Sequence, residues 1–188
     1  VPAGLCWAGI LFWAHKSMHS TSTNVGKPRS LTRTALRAGV GLLACALAAA
    51  QALVQGEHQA MALTRPPGHH AGPAFMGGYC LINNAAVAAQ ALRDAGLPRV
   101  AVLDLDYHHG NGTQTIFYER ADVFTLSIHG DPRTEYPFFL GHADEHGAGP
   151  GVGFNRNTPL PRGTGFEAWW RALQEALQTV DDFAPQAV

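Results

Sequence analysis

Cysteine is scarce in this chain. Cys6, Cys45 and Cys80 are odd in number and widely spaced, and no Cys-x-x-Cys pair occurs. That argues against a zinc ribbon or a disulfide scaffold and is compatible with a reducing cytoplasm, the compartment expected here. An excess of either charge is also missing. Thirteen Lys and Arg against fourteen Asp and Glu leave a net charge of −1. Without a basic stripe there is no electrostatic case for binding nucleic acid. A membrane span is missing as well. Leu31–Gln55 carries no charge between Arg37 and Glu57, but it is rich in Ala and holds Gly39, Gly41, Gln51 and Gln55, whereas a span needs about 20 predominantly apolar residues. It reads as a buried helix, Ala being the best helix former, with Gly56 as its C-cap. Val1–Ala14 has the length of a signal-peptide apolar region but no basic segment before it. There is no internal repeat.

What is abundant is histidine. Seven of the ten His lie between His69 and His146. The 188 residues are 46% apolar, enough for a core, and fit one domain or part of a larger one. The chain opens on Val and closes on Phe-Ala-Pro-Gln-Ala-Val, so both ends read as cuts and the chain as a fragment. Residues 1–30 are left as an unassigned leader or unrelated segment, with a polar loop over His15–Arg33; residues 31–188 are taken as the partial domain.

The rest alternates strand and helix. Gln59–Leu63 predicts a short strand, and Pro66-Pro67 stops its pairing, so His69-His70 sits on a loop. Asn83 or Asn84 caps a helix from Ala85 to about Ala95, ended by Gly96-Leu97-Pro98. Val100–Leu103 is a buried strand, Thr113–Glu119 a short helix and Val123–His129 a second apolar strand. Gly130–Pro161 reads as a long loop, of the kind that covers a site. Phe166–Phe183 is an amphipathic helix with Trp169, Leu173, Ala176, Leu177 and Val180 on one face. This order predicts an α/β protein with a largely parallel sheet.

The chemistry concentrates in Arg99–Gln114. Strand side chains alternate, so Asp104, Asp106 and His108 share one face if the extended conformation persists. That places them at the strand's C-terminal end, where open α/β sheets hold ligands. Asp106 and His108 form an oxygen and nitrogen metal pair. Catalytic zinc sites commonly take three protein ligands and leave a position for water, so a third must come from elsewhere. His129, Asp131, His142, Asp144 and His146 are the candidates within the chain, each reading first as an ordinary loop residue. His69 and His70 suit acid–base work, with Asp104 and Asn111 available to orient them.

Three stretches carry a resemblance: Arg65-Pro-Pro-Gly-His-His-Ala71, Gly78-Tyr-Cys80 with Asn83-Asn84, and Asp104-Leu-Asp-Tyr-His-His-Gly-Asn-Gly-Thr-Gln114. In that order they resemble the zinc-dependent histone deacetylase superfamily, from roughly Leu31 to Val188. Asn111, in place of an acidic residue, is similar to the class II and bacterial branches. Gly130–Glu145 and Asn157-Thr-Pro-Leu-Pro161 resemble the bacterial acetylpolyamine amidohydrolases. The resemblance implies an arginase/deacetylase-type α/β fold, with a central mainly parallel sheet flanked by helices and truncated on its C-terminal side. It assigns zinc to Asp106 and His108, and the general base and acid to His70, oriented by Asn111. His69, paired with Asp104, gives electrostatic support, and Asp104 with Ser127 matches a structural potassium site. Tyr79 and Tyr136 match the walls of a substrate tunnel and Gly78 its floor. The third zinc ligand, an Asp, and a catalytic Tyr come in that family from beyond the point matched by Val188, so the 188 residues alone are expected to be inactive.

The function so implied is a zinc-dependent amidohydrolase removing acetyl groups from polyamines or similar small amines. The partner is the small acetylated amine, with no nucleic acid and no membrane, and a homo-oligomer is compatible. Two alternatives stand beside it: a deacetylase of acetyl-lysine in proteins, and an inactive truncated fragment. Acidic side chains at the entrance would favour a cationic polyamine, and Glu135, Asp144 and Glu145 are the candidates, beside the plainer reading of an exposed acidic run as a solvated face.

Overall fold

The computed structural model describes residues 9–13 and 29–188. In chain order these form β1 (Gly9–Trp13), α1 (Arg29–Val54), β2 (Gln59–Leu63), α2 (Asn84–Asp94), β3 (Val100–Asp104), α3 (Asn111–Phe117), β4 (Val123–Gly130), a single 3-10 turn (Gly149–Gly151), β5 (Asn155–Leu160) and α4 (Phe166–Phe183). All strand pairs are parallel, in two groups, β1–β2 and β3–β4–β5. The strand at Gly9–Trp13 lies within the segment that sequence reading left unassigned; most of the expected His15–Arg33 loop falls outside the described residues, and its described end, Arg29–Arg33, is the first part of α1 instead of loop.

Period-two alternation builds two cores. Val100 and Val123 face one way, into a cluster with Ala46, Ala50 and Leu53 of α1, Ala89 and Leu92 of α2, and Phe117 of α3. Ala101, Phe124, Leu126 and Ile128 face the other way, onto Ala172, Ala176, Val180 and Phe183 of α4. The sheet is thus covered on both faces, and every residue of β4 is buried, as expected of a central parallel strand. The small Ala side chains of α1 let it pack closely on α2, so the Ala-rich run is a core helix. Among the described residues no helix is long and apolar enough to cross a membrane.

Helix boundaries follow local chemistry. Asn83 is the cap of α2, its side chain accepting from Ala86 N at 3.0 Å. Asn84 is instead fully buried and donates to Thr64 Oγ1, Pro66 O and Pro67 O at 3.1–3.2 Å. α3 begins two residues earlier than expected, because Gly110 serves as its N-cap.

The expected Gly130–Pro161 loop needs correction, since it contains β5. Asn155 and Asn157 occupy strand positions beside Thr125 and Ser127 of β4, and Pro159 is tolerated because β5 pairs on one side only in this group. A polar sequence forms a strand here because its Asn side chains are satisfied inside: Thr125 Oγ1 donates to Asn155 Oδ1 at 2.6 Å.

Candidate active site

The loop between β2 and α2 delivers His69 and His70, and the turn after β3 delivers Asp104 to His109. The two are tied together by backbone. Gly112 N and Thr113 N, at the start of α3, donate to His69 O at 2.9 and 3.2 Å. Asn83 Nδ2 bridges Ala71 O and Thr113 Oγ1, both at 3.0 Å. The α2 cap, the tandem His and the α3 start are therefore one hydrogen-bonded unit.

The extended conformation expected through His108 does not persist. β3 ends at Asp104 and residues 105–110 turn. The carboxylates make that turn themselves: Asp106 N donates to Asp104 Oδ1 at 3.1 Å, and His108 N to Asp106 Oδ1 at 2.8 Å. The groups still converge, but by side-chain turn chemistry in place of strand alternation.

Two His–acceptor pairs result. His69 Nδ1 donates to Asp104 Oδ2 at 2.8 Å, and His70 Nδ1 to Asn111 Oδ1 at 2.7 Å. The acceptor on Nδ1 leaves Nε2 of His70 free to take a proton. The rings lie 4.0 Å apart, centre to centre. Their electrostatics differ. Burial works against a charge on His69, but the adjacent Asp104 carboxylate outweighs it and holds the imidazole above its ordinary value. Burial likewise works against ionised Asp104, and the His69 charge overcomes it, so that carboxyl sits below the usual range. His70 faces a neutral amide. Burial, with repulsion from His69, pushes it down to about 4, so it is a neutral base at pH 7.

Asp106 Oδ1 lies 3.5 Å from His108 Nδ1 and 3.9 Å from His69 Nε2. Among the described residues no group of three His, Cys, Asp or Glu could hold a metal. Of the in-chain candidates for a third ligand, two are engaged with other partners. His129 Nε2 donates to Gly141 O at 2.9 Å while its Nδ1 accepts from Ser127 Oγ at 2.8 Å, and Asp131 pairs with Arg133. His142 is half-buried, and Asp144 and His146 are exposed.

Gly78 and Tyr136 stand over His70. The Tyr136 ring packs edge-on to it at 4.8 Å and lies 6.0 Å from His108. A side chain at Gly78 would meet His70 Cδ2 at 2.0 Å. Tyr79 is 81% exposed, beside this group in sequence. Asp104 and Ser127 are register partners and line a cavity of about 10 Å³. The acidic residues expected at the entrance are mostly committed to other partners. Glu135 accepts from Arg162 at 2.6 Å, and Glu145 is hydrogen-bonded inward, leaving Asp144 exposed.

Sequence reading missed the network that receives Glu145. Gln114 Oε1 accepts from His109 Nε2, Asn155 Nδ2 and Asn157 Nδ2 at 2.8–3.0 Å, and its Nε2 donates to Glu145 Oε2 at 2.6 Å. The available signal was the period-two Asn155-x-Asn157 pair.

A model of the histone deacetylase domain matches residues 13–188. The chain belongs to the histone deacetylase family. Its relatives include acetylpolyamine amidohydrolase 1 of Pseudomonas aeruginosa, 59% identical over 143 residues, covering 76% of this chain and 41% of that protein. The acetylpolyamine amidohydrolase of Mycoplana ramosa is 50% identical over 151 residues, covering 80% and 44%. A crystal structure of acetylpolyamine aminohydrolase from Burkholderia pseudomallei superposes with a TM-score of 0.75 at 52% identity, covering 77% of this chain and 42% of that one. The sheet flanked by helices is the deacetylase-type fold of these relatives, in the bacterial acetylpolyamine branch. The chain spans about two-fifths of the length of the curated relatives it matches.

Proposed function

We propose that these residues belong to a zinc-dependent deacetylase of acetylated polyamines or similar small acetylated amines. The observation that carries this is the convergence of the His69–Asp104 and His70–Asn111 pairs on the Asp106–His108 donor pair. The donor set fits zinc. Two ligands on one tetrahedral ion at about 2.0–2.1 Å lie roughly 3.3 Å apart, close to the 3.5 Å between Asp106 Oδ1 and His108 Nδ1. Bound there, the metal supplies Lewis-acid activation of a water molecule, lowering its pKa to about 7.

The chain's own groups do the rest. Neutral His70, its Nδ1 proton held by Asn111, accepts a proton at Nε2 and returns it to the departing amine. His69, its charge favoured by Asp104, donates toward the oxygen that develops charge. Tyr136 and Tyr79 flank the acyl amine, and Gly78 leaves His70 room. The small cavity between Asp104 and Ser127 has the volume of one ion or water, which supports the potassium assignment. The third zinc ligand and the catalytic Tyr come, in this reading, from outside these residues. A cavity of about 830 Å³ separates β2 from the outer edge of β3 and reaches Asp106. Gln186 and Ala187 already pair with that edge, through Gln186 N to Arg99 O and Ala101 N to Ala187 O, both 2.9 Å. The setting is cytoplasmic.

The test is turnover by the whole protein of acetylputrescine against an acetyl-lysine peptide, with metal content measured in parallel. Preference for acetylputrescine is expected, with about one zinc per site. A clear peptide preference would shift the substrate to proteins, and no turnover of either with metal bound would overturn the reading.

A further inference from the structure

The acidic residues flanking the site invite a reading as receptors for a cationic amine, but the geometry of Glu145 points elsewhere. One of its oxygens, Oε2, accepts from Gln114 Nε2 at 2.6 Å, Gly141 N at 2.9 Å and Asn157 Nδ2 at 3.1 Å. Its backbone carbonyl accepts from Asn155 Nδ2 at 2.7 Å. The partners belong to α3, to β5 and to the loop that precedes Glu145 itself. All three donors are neutral amides, so the contacts need an acceptor oxygen and not a charge.

What this holds in place is the arc Asp131–Gly141. One end is pinned where Asp131 N donates to Leu160 O at 2.9 Å. The other is pinned at Gly141, whose N–H goes to Glu145 and whose carbonyl accepts from His129 Nε2 at 2.9 Å. Gly141 comes so close to His109 and His129 that a Cβ would meet them at 2.8 Å. Tyr136 sits mid-arc, with its ring 4.8 Å from His70 and its hydroxyl over Gly77. An arc fixed at both ends holds its middle. Without Glu145, Gly141 keeps only its carbonyl contact to His129, and the arc, still tied at Asp131 and through Glu135 to Arg162, holds the Tyr136 ring less firmly at its angle to His70.

We propose that Glu145 is a positioning residue that latches the Tyr136 loop through one acceptor oxygen and takes no part in recognising the amine by charge. The kinetic part of this rests on the deacetylase reading above. A glutamine supplies the same acceptor through its amide oxygen, so Glu145→Gln should preserve the latch and Glu145→Ala should release it.

The test uses the whole, metal-loaded protein with two substrates of similar shape, acetylputrescine and the uncharged N-butylacetamide. Glu145→Gln should stay within about threefold of the unaltered protein on both, and Glu145→Ala should lose roughly tenfold in kcat/KM on both, the scale of a small misplacement at a reacting centre. On a Tyr136→Ala background the Glu145→Ala loss should shrink below about twofold, because the two act through one contact. Hydrogen exchange gives a reading independent of turnover: the Gly141 amide should exchange at least about tenfold faster in Glu145→Ala and at the unaltered rate in Glu145→Gln. If Glu145→Ala does not fold, Glu145→Asp, which draws the acceptor oxygen back by one methylene from Gly141 N, replaces it in every comparison. Three results overturn the proposal: Glu145→Gln losing activity on acetylputrescine but not on N-butylacetamide, losses additive with Tyr136→Ala, or unchanged exchange at Gly141. If the unaltered protein turns over neither amide, the deacetylase reading fails and the exchange measurement alone decides the latch.

Discussion

On the proposed reading, in which His70 is the general base, Gly78 shows how little freedom that base has. Its φ of +50° is one that side chains rarely adopt, and a Cβ there would overlap the His70 ring at 2.0 Å. Gly78→Ala in the whole protein should therefore displace His70 and lower kcat/KM by roughly 100-fold, as expected for a misplaced catalytic group. An unchanged kcat/KM would show that His70 is not the base. Asn111 acts on the same ring through its Oδ1, which fixes the proton on Nδ1. Asn111→Ala should cost on the order of 100-fold in kcat while leaving bound zinc unchanged, since Asn111 touches neither Asp106 nor His108 in its hydrogen bonds. Zinc analysis beside steady-state kinetics checks both halves of that statement.

At the scale of elements, the site depends on α2, β3 and β4 keeping their relative places, and Asp122 is one of the fasteners. It accepts from Arg93 of α2 at 2.6 Å and from Arg120 at 2.7 Å. The Arg120 hydrogen bond, helped by Arg93, holds its carboxyl well below the usual range. An unfolded Asp titrates near about 3.9, so the stabilisation is complete above that value and is lost as pH falls through the lower folded one. Asp122→Asn should cost about 1–2 kcal/mol at pH 7, with a smaller difference at pH 3, measured by urea unfolding at both. α4 is held by Phe183, whose ring meets Phe124 and Phe154 edge-on at 5.3 and 5.7 Å. Phe183→Ala should destabilise by about 3–4 kcal/mol, readable as a lower urea midpoint; a loss below about 1 kcal/mol would mean that this face of the sheet is covered in another way.

For the whole molecule, the two apolar cores and the His–acceptor pairs stand on packing and hydrogen bonds that include neither Asp106 nor His108, the proposed zinc ligands. Chelation of the whole protein should therefore abolish turnover while leaving its circular dichroism unchanged. Loss of secondary structure on chelation would make the metal part of the fold, as in small zinc domains. Residues far apart in sequence meet at the site, His69 with Asp104 and His70 with Asn111, because the parallel order of β3 and β4 brings the β3–α3 turn and the arc after β4 to one end, and hydrogen bonds from Asn83 and the start of α3 tie the β2–α2 loop there.

The sequence alone determined most of the elements. Apolar runs of β-branched residues specified β3 and β4, Ala composition specified α1, and the 3.6-residue pattern specified α4, since each pattern matches the period of the backbone that buries it. It also grouped the chemical residues, because His69-His70 and Asp104 to Asn111 are each contiguous. Only the tertiary structure decided the rest. Asp106 and His108 leave the strand and meet through turn hydrogen bonds, which strand periodicity does not describe. β5 was hidden because its inward residues are Asn, satisfied by Gln114 and Thr125 across the fold and not by an apolar neighbour. Glu135 and Glu145 read as free entrance charges until Arg162, Gln114 and Asn157 were brought to them. Local patterns record which face is apolar, whereas a polar side chain's partner is set by whichever distant element the fold places beside it.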